Sequence, residues 1–291
     1  MCHDYDHILR YLESGERMKN VTKNNAHQEG PLRVGHNAAF VRSGILRRTL
    51  TFFFGAVVAL AQAGLAQSAP KPALATPPVI VIGFVGGFVR HDDLVHSEVQ
   101  LAARLREAYP VGVDVETFEN YHGEKARERI LSLLDANHDG ILTADEKRNS
   151  RIILYGHSWG ASEAINLARM LEKEGIAVLL TIQVDSISKI HQDDRIIPAN
   201  VAQAINFYQP GGFLSGQSKI RAADPSRTSI IGNFRFDYKG SPYKCVKYPW
   251  YDRTFGKSHT QIECDPDVWE QVESLIRSNL PPTSRGGVVT R

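Results

Sequence analysis

A serine with a glycine two positions away on each side could serve as a nucleophile in this chain. The pattern Gly-x-Ser-x-Gly is formed by Gly156, His157, Ser158, Trp159 and Gly160. The apolar, β-branched residues 151–155 before it predict a buried parallel strand, and residues 161–171 after it have apolar positions near helical spacing. A sharp strand-to-helix turn would push the Ser158 hydroxyl clear of the backbone, and glycines would avoid the collisions that Cβ atoms would cause there.

A serine hydroxyl is a weak nucleophile until a neighbouring base takes its proton, and that base needs a partner to hold its tautomer. Two histidines follow the serine in the sequence. His191 lies in a polar loop after the fourth predicted strand, and His259 lies in a predicted loop before the last helix. Asp185, which directly follows a buried strand, and Asp237, which follows the sixth strand, are the candidate acids.

The strand, serine and helix together resemble the nucleophile elbow of the α/β-hydrolase superfamily. In that superfamily the triad follows the chain order serine, acid, histidine. The resemblance implies Ser158 as the nucleophile, His259 as the base and Asp185 as the acid, the position one strand after the nucleophile that some lipases use. Asp237 stays open as the alternative acid, although it follows the sixth strand and would share the loop of the histidine.

The resemblance also implies an oxyanion hole made of backbone N–H groups. One donor would be Trp159, and the other would be Phe84 or Val85 at the end of the first predicted strand. Gly86 and Gly87 follow, and their lack of a side chain would let the backbone approach a ligand closely. The implied activity is a serine hydrolase that cleaves small-molecule or lipid esters, or thioesters, through an acyl-enzyme.

A second chemical pattern lies twelve residues before the nucleophile, at 135–146. Oxygen donors stand at its positions 1, 3, 5, 9 and 12, with Gly140 at position 6 and an apolar residue at position 8. The pattern resembles the EF-hand calcium loop, which implies binding of Ca²⁺ by hard oxygen ligands. The implied ligands are Asp135, Asn137, Asp139, the Ile141 carbonyl, Thr143 and Glu146. An acidic turn is the alternative interpretation, and a non-enzymatic calcium-binding protein on a hydrolase scaffold is the alternative function.

Strands alternate with helices along the chain, which predicts a parallel sheet covered on both faces. The expected fold is a mostly parallel α/β-hydrolase sheet, with the EF-hand-like loop inserted before the nucleophile strand. The predicted strands are 78–84, 111–118, 151–155, 176–184, 202–208 and 228–234. The predicted helices are 96–109, 124–134, 144–148, 161–171 and 266–280.

The amino-terminal part of the sequence predicts export. Residues 1–40 are polar and without periodicity, which is typical of disorder. Residues 41–66 combine arginines, an apolar run and small residues, the order of a signal peptide, although an uncleaved membrane anchor through 49–66 is the alternative. Residues 67–77 are predicted to be a linker and 78–291 the hydrolase domain. The chain would then be secreted or periplasmic, or membrane-anchored.

Composition agrees with one exported globular domain. The chain has 291 residues, of which 42% are hydrophobic and 23% charged. The net charge of +2 and the lack of a basic stripe exclude a nucleic-acid partner. Without the signal segment only Cys245 and Cys264 remain of three cysteines, an even pair that favours a disulfide in an oxidising compartment.

Overall fold

Six parallel strands form the central sheet of the computed structural model, which describes residues 78–282. The strands are β1 (Val79–Val85), β2 (Val113–Glu119), β3 (Ile152–His157), β4 (Val178–Val184), β6 (Val201–Tyr208) and β8 (Ser229–Arg235). Their order in the sheet is β2-β1-β3-β4-β6-β8, and every neighbouring pair is parallel. A short parallel pair, β5 (Ile196–Ile197) and β7 (Arg221–Ala222), lies outside it. All six strands predicted from the sequence are confirmed.

Helices connect the strands and follow the last one. They are α1 (Ser97–Ala108), α2 (Gly123–Leu134), α3 (Ala144–Arg148), α4 (Trp159–Lys173), α5 (Trp250–Phe255), α6 (Lys257–Cys264) and α7 (Pro266–Ser278). The prediction of a loop around His259 was wrong, because this residue lies in α6. The residues around His259 are mostly polar, which suggested a loop. One face of the helix that they form is nevertheless buried and includes Ile262, which is fully buried.

The sheet is covered by helices on both faces. Neighbouring strand residues point to opposite faces, and β3 illustrates this with Leu154 and Tyr155. Leu154 belongs to the core that α2 and α4 complete with residues such as Ile130 and Ile165. On the other face, the Tyr155 hydroxyl donates to the carbonyl of Glu98 in α1 at 2.9 Å, and its ring lies 6.5 Å from that of Trp269 in α7.

Several predictions from the sequence fall on residues whose structure is not described. The extension 1–40, the signal or anchor 41–66, the linker 67–77 and the final residues 283–291 all lie outside 78–282. No helix within 78–282 is long and apolar enough to cross a membrane. A disulfide joins Cys245 to Cys264, whose Cα atoms are 5.8 Å apart, and so ties the segment after β8 to the end of α6.

Candidate active site

Ser158 sits in a strained turn between β3 and α4. Its backbone has φ 56° and ψ −127°, a conformation that non-glycine residues rarely adopt. The two glycines of the motif are required by close packing. A Cβ on Gly156 would come within 2.6 Å of the Gly160 carbonyl carbon, and a Cβ on Gly160 would overlap the carbonyl group of Phe84 at the end of β1. The motif therefore forms the sharp elbow that its spacing predicts.

Asp185 lies directly after β4, fully buried, and its carboxylate accepts four hydrogen bonds. Oδ1 accepts from the backbone N–H groups of Gln209 at 3.2 Å and Gly216 at 2.8 Å. Oδ2 accepts from the Gln209 side chain at 2.8 Å. The fourth bond, also to Oδ2, comes from Nδ1 of His259 at 2.7 Å. Gly216 approaches so closely that a Cβ there would lie 2.6 Å from the Asp185 Cα.

His259 projects from α6 onto the elbow. Its ring packs against that of His157, with 4.4 Å between ring centroids, and His157 directly precedes Ser158. Because Nδ1 is bonded to Asp185, Nε2 is the ring nitrogen left for exchange of a proton with a hydroxyl. The structure thus joins His259 to Asp185 at the carboxyl end of the sheet, where parallel sheets place their chemistry, and packs His259 against His157, the residue that precedes Ser158.

The other candidate residues lie elsewhere. Asp237 is largely exposed, and its carboxylate accepts hydrogen bonds from the Arg235 side chain at 3.1 Å and the Lys239 backbone at 3.0 Å. His191 is exposed in the loop after β4. Of the two candidate acids, only Asp185 contacts His259, a distinction that the sequence left open.

The predicted oxyanion donors stay a prediction. Phe84 and Val85 are the last residues of β1, and both pair within the sheet, Phe84 on both sides and Val85 with Glu119. Gly86 is the residue that lies against the nucleophile, since a Cβ there would stand 3.0 Å from the Ser158 Cβ. Trp159 is the first residue of α4, so its N–H has no partner within the helix.

A buried cluster of acids and histidines lies beneath the elbow. It consists of His96, Glu98, His157 and Glu263, and we call it the acid–histidine cluster. Burial is the largest effect on Glu98 and, together with the neighbouring Glu263 carboxylate, raises the pKa of Glu98 well above its usual range. Burial lowers the pKa of His157 to about 4, which keeps this ring neutral. Burial disfavours the charged form of His96, but the hydrogen bond from its Nδ1 to Glu263 raises its pKa to about 9.

This cluster was not predicted from the sequence. Its members come from three distant parts of the chain, and His96 and Glu263 are 167 positions apart. Two local signals were nevertheless present. His157 occupies the variable position before Ser158, and Glu263 follows His259 by four residues, which places both side chains on one face of a helix.

The residues of the EF-hand-like loop turn their oxygens inward. Asp135 accepts from the backbone N–H of Gly140 at 2.8 Å, and Asp139 accepts from that of Ile141 at 2.8 Å. Glu146 spans the loop by accepting from Ala136 at 3.2 Å and from the backbone N–H of Thr143 at 2.7 Å. Gly140 has a φ of 80°, the left-handed conformation that position 6 requires. The donor set and the turn therefore fit a hard cation.

Comparisons with known proteins give distant likenesses. No protein-family model matches the sequence, and no curated protein matches it. A thioesterase of prodiginine biosynthesis from Streptomyces coelicolor is 13% identical, with 72% of this chain and 97% of that chain covered and a TM-score of 0.29. A putative α/β-superfamily hydrolase from Xanthomonas campestris is 14% identical, with 68% and 98% covered and a TM-score of 0.35. A dienelactone hydrolase-like promiscuous phosphotriesterase from metagenomic libraries is 15% identical, with 71% and 89% covered and a TM-score of 0.37.

These likenesses are too weak to support an argument about the reaction. The fold class follows from the chain's own topology, a parallel six-stranded sheet with helices on both faces and a serine elbow after β3. This confirms the predicted α/β-hydrolase type of architecture.

Proposed function

We propose that this chain is a serine hydrolase that cleaves carboxylic esters or thioesters through an acyl-enzyme. The observation that carries the proposal is the buried hydrogen bond of 2.7 Å between His259 Nδ1 and Asp185 Oδ2, formed beside the Ser158 elbow. A buried carboxylate that holds one ring nitrogen fixes the tautomer in which the other nitrogen is a base.

In the proposed reaction, His259 Nε2 takes the Ser158 hydroxyl proton while Oγ bonds to the substrate carbonyl carbon. The carbonyl π electrons move to oxygen. When the tetrahedral intermediate collapses, the bond to the alcohol or thiol breaks, and this leaving group takes the proton from His259. Water then attacks the acyl-enzyme in the same way, giving the free acid and restoring the Ser158 hydroxyl. Asp185 stays ionised throughout and stabilises the imidazolium form of His259.

The negative charge on the substrate oxygen needs backbone donors. We assign one to the Trp159 N–H, where the positive end of the α4 dipole also favours an anion. We assign the other to the Gly86–Gly87 turn instead of Phe84 or Val85, because Gly86 lies against Ser158 and the latter two are paired in the sheet.

The substrate class that fits best is an ester with an apolar acyl group, either a small molecule or a lipid. Phe88 is 92% exposed, and its ring stands edge-on to that of Trp159 at 5.7 Å. An exposed phenylalanine packed on a half-buried tryptophan next to Ser158 favours contact with an apolar group, since removing aromatic area from water is favourable.

We also propose that the loop 135–146 binds one structural Ca²⁺. Asp135, Asn137, Asp139, Thr143 and Glu146 would contribute side-chain oxygens and Ile141 its carbonyl. Hydrogen bonds from Thr143 lower the pKa of Glu146, so this carboxylate is ionised and ready to bind a cation. The ion would close the loop ahead of β3, the strand that leads into Ser158.

Export through residues 41–66 completes the proposal. The Cys245–Cys264 disulfide supports it, because such bonds persist in secreted and periplasmic proteins and are rare in the cytosol. Cleavage would release the domain, whereas retention of 49–66 would anchor it to a membrane.

A fluorophosphonate probe tests the enzymatic proposal against the alternative of a non-catalytic calcium-binding protein. The wild-type chain should be labelled and should hydrolyse p-nitrophenyl esters, and Ser158→Ala should do neither while its circular dichroism spectrum is unchanged. Ser162→Ala, which alters a fully buried serine one turn along the same helix, is the matched control and should still be labelled. Labelling that persists in Ser158→Ala would refute the assignment.

A further inference from the structure

The acid–histidine cluster contains two carboxylates that the fold has removed from water. Glu98 is fully buried, and Glu263 is 6% exposed. Among the described residues, neither carboxylate oxygen of Glu98 has a hydrogen-bond donor. An unpartnered buried carboxylate costs several kcal/mol unless something neutralises it. The proposed hydrolysis uses none of these oxygens, so the cluster needs an explanation of its own.

Three residues of the cluster hold their ligand atoms close together. One atom each of His96, Glu98 and Glu263 lies within 4.8 Å of the other two, which is the only such group among the described residues. His157 joins them, with Nδ1 at 3.3 Å from Glu263 Oε2 and 3.9 Å from Glu98 Oε1. The ligand atoms of His96, Glu98 and Glu263 therefore face one another in the buried interior, and His157 Nδ1 borders this group on the side of the two carboxylates.

This donor set matches the preferences of a zinc-type cation. Zn²⁺ binds nitrogen and oxygen ligands in a tetrahedron with bonds of about 2.0–2.1 Å, which puts neighbouring ligand atoms about 3.3 Å apart. The two distances from His157 Nδ1 are already close to this value. The 2.6 Å separation between His96 Nδ1 and Glu263 Oε1 would have to open by less than about 1 Å.

We propose that the acid–histidine cluster is a structural site for one divalent cation of the zinc class. The cation would accept electron pairs from His96, Glu98, His157 and Glu263, and its two positive charges would balance the two carboxylates. With four protein ligands the site is closed, so the metal has no open position for water or substrate and plays no part in the hydrolysis. Nothing in this inference depends on the proposed function.

The site would connect three elements that support the elbow. Glu98 lies in the first turn of α1, His157 ends β3, and Glu263 lies in α6. Because Glu263 and His259 are four residues apart on α6, a metal bound to one would also hold the helix that carries the other. The cation would thus fix the position of His259 without touching it.

The test uses the full chain, purified without chelators in buffer with saturating CaCl₂, so that the loop 135–146 stays occupied. Elemental analysis should find about one zinc per chain after growth with added ZnCl₂. A zinc-selective chelator should lower Tm, and ZnCl₂ should restore it. X-ray absorption at the zinc edge should show nitrogen and oxygen ligands at about 2.0–2.1 Å and no sulfur.

Variants then locate the ion. Glu98→Gln and Glu263→Gln should each lose the ZnCl₂-dependent rise in Tm. Glu163→Gln, which alters a 5% exposed carboxylate paired with Lys189 at 2.7 Å outside the cluster, is the matched control and should keep that rise. If the cluster variants do not fold, the wild-type zinc content and absorption spectrum decide the question.

Two results would overturn the proposal. Wild-type chain that neither retains zinc nor gains stability from ZnCl₂ would mean that a proton shared between Glu98 and Glu263 neutralises the cluster. Zinc that binds equally well to both cluster variants, or through sulfur, would place the ion elsewhere.

Discussion

The rings of His157 and His259 lie against each other, with 4.4 Å between their centroids and 33° between their planes. Burial lowers the pKa of His157 to about 4, so its ring is neutral near pH 7. A neutral neighbour matters for the proposed reaction, because a second positive ring at this distance would repel the imidazolium that His259 would become. His157 therefore supplies a flat, uncharged surface against which the His259 ring is held.

Replacing His259 should remove the general base. His259→Ala should lower kcat/KM for ester hydrolysis by about 10⁴-fold or more, as loss of triad members typically does. His191→Ala, in the exposed loop after β4, should remain close to wild type. Steady-state kinetics with p-nitrophenyl esters measures both. A larger loss in His191→Ala would mean that the wrong histidine has been assigned.

Replacing Asp185 with asparagine should lower activity far more than replacing Asp237 with asparagine. Asp185→Asn places an NH₂ group where a carboxylate now accepts four hydrogen bonds, so it should favour the wrong tautomer of His259 and lower kcat by about 10⁴-fold. Asp237→Asn changes an exposed side chain and should have little effect. Kinetics should be paired with melting curves, because Asp185→Asn should also be less stable. Equal activity of the two variants would exclude Asp185 as the acid.

Calcium should stabilise the fold without taking part in catalysis. A ligand that binds only the folded chain, at a hundredfold excess over its Kd, adds about 2.7 kcal/mol to the free energy of unfolding. Tm should therefore rise with CaCl₂ and fall with chelator, and turnover should persist wherever the chain stays folded. The Glu146→Gln variant should lose most of the CaCl₂-dependent rise in Tm. Asp145→Asn, an exposed acid beside it, is the control. A Tm that does not respond to CaCl₂ or to chelator would mean that residues 135–146 form only an acidic turn.

Protonation of Glu119 should make the chain less stable at low pH. Burial alone would raise its pKa, but hydrogen bonds from the His91 ring, its own backbone and the His122 ring outweigh burial and hold the pKa at about 2. The folded pKa is below the unfolded value of about 4.3, so this stabilisation is complete above about pH 4.3 and is lost as pH falls towards 2.

Urea unfolding of wild type and Glu119→Gln measures this effect. The difference in unfolding free energy between them should be largest near neutral pH and should shrink as pH falls from about 5 to about 2. Glu124→Gln removes an exposed carboxylate from the next helix, and its difference in unfolding free energy from wild type should not change with pH. A constant difference for Glu119→Gln would show that its hydrogen bonds do not depend on ionisation.

Local pattern was enough to predict much of this protein. The buried strands could be predicted because continuous apolar runs, such as the one that forms β1, are typical of strands covered on both faces of a parallel sheet. The elbow was visible because its requirements lie within five consecutive residues, where Gly156 and Gly160 leave room for the turn at Ser158. The twelve-residue spacing of the EF-hand-like loop is local in the same way.

Long-range packing decided the remainder. Asp185 and His259 are 74 residues apart, and no local pattern distinguishes this pairing from one with Asp237. The α6 helix was predicted as a loop because its buried face, including Ile262, is set by neighbours outside the segment. The acid–histidine cluster was not predicted for the same reason, since its local signals at His157 and Glu263 do not show which residues they meet. Buried polar groups are chosen by three-dimensional contact, and the distance between them in the sequence carries no signal of it.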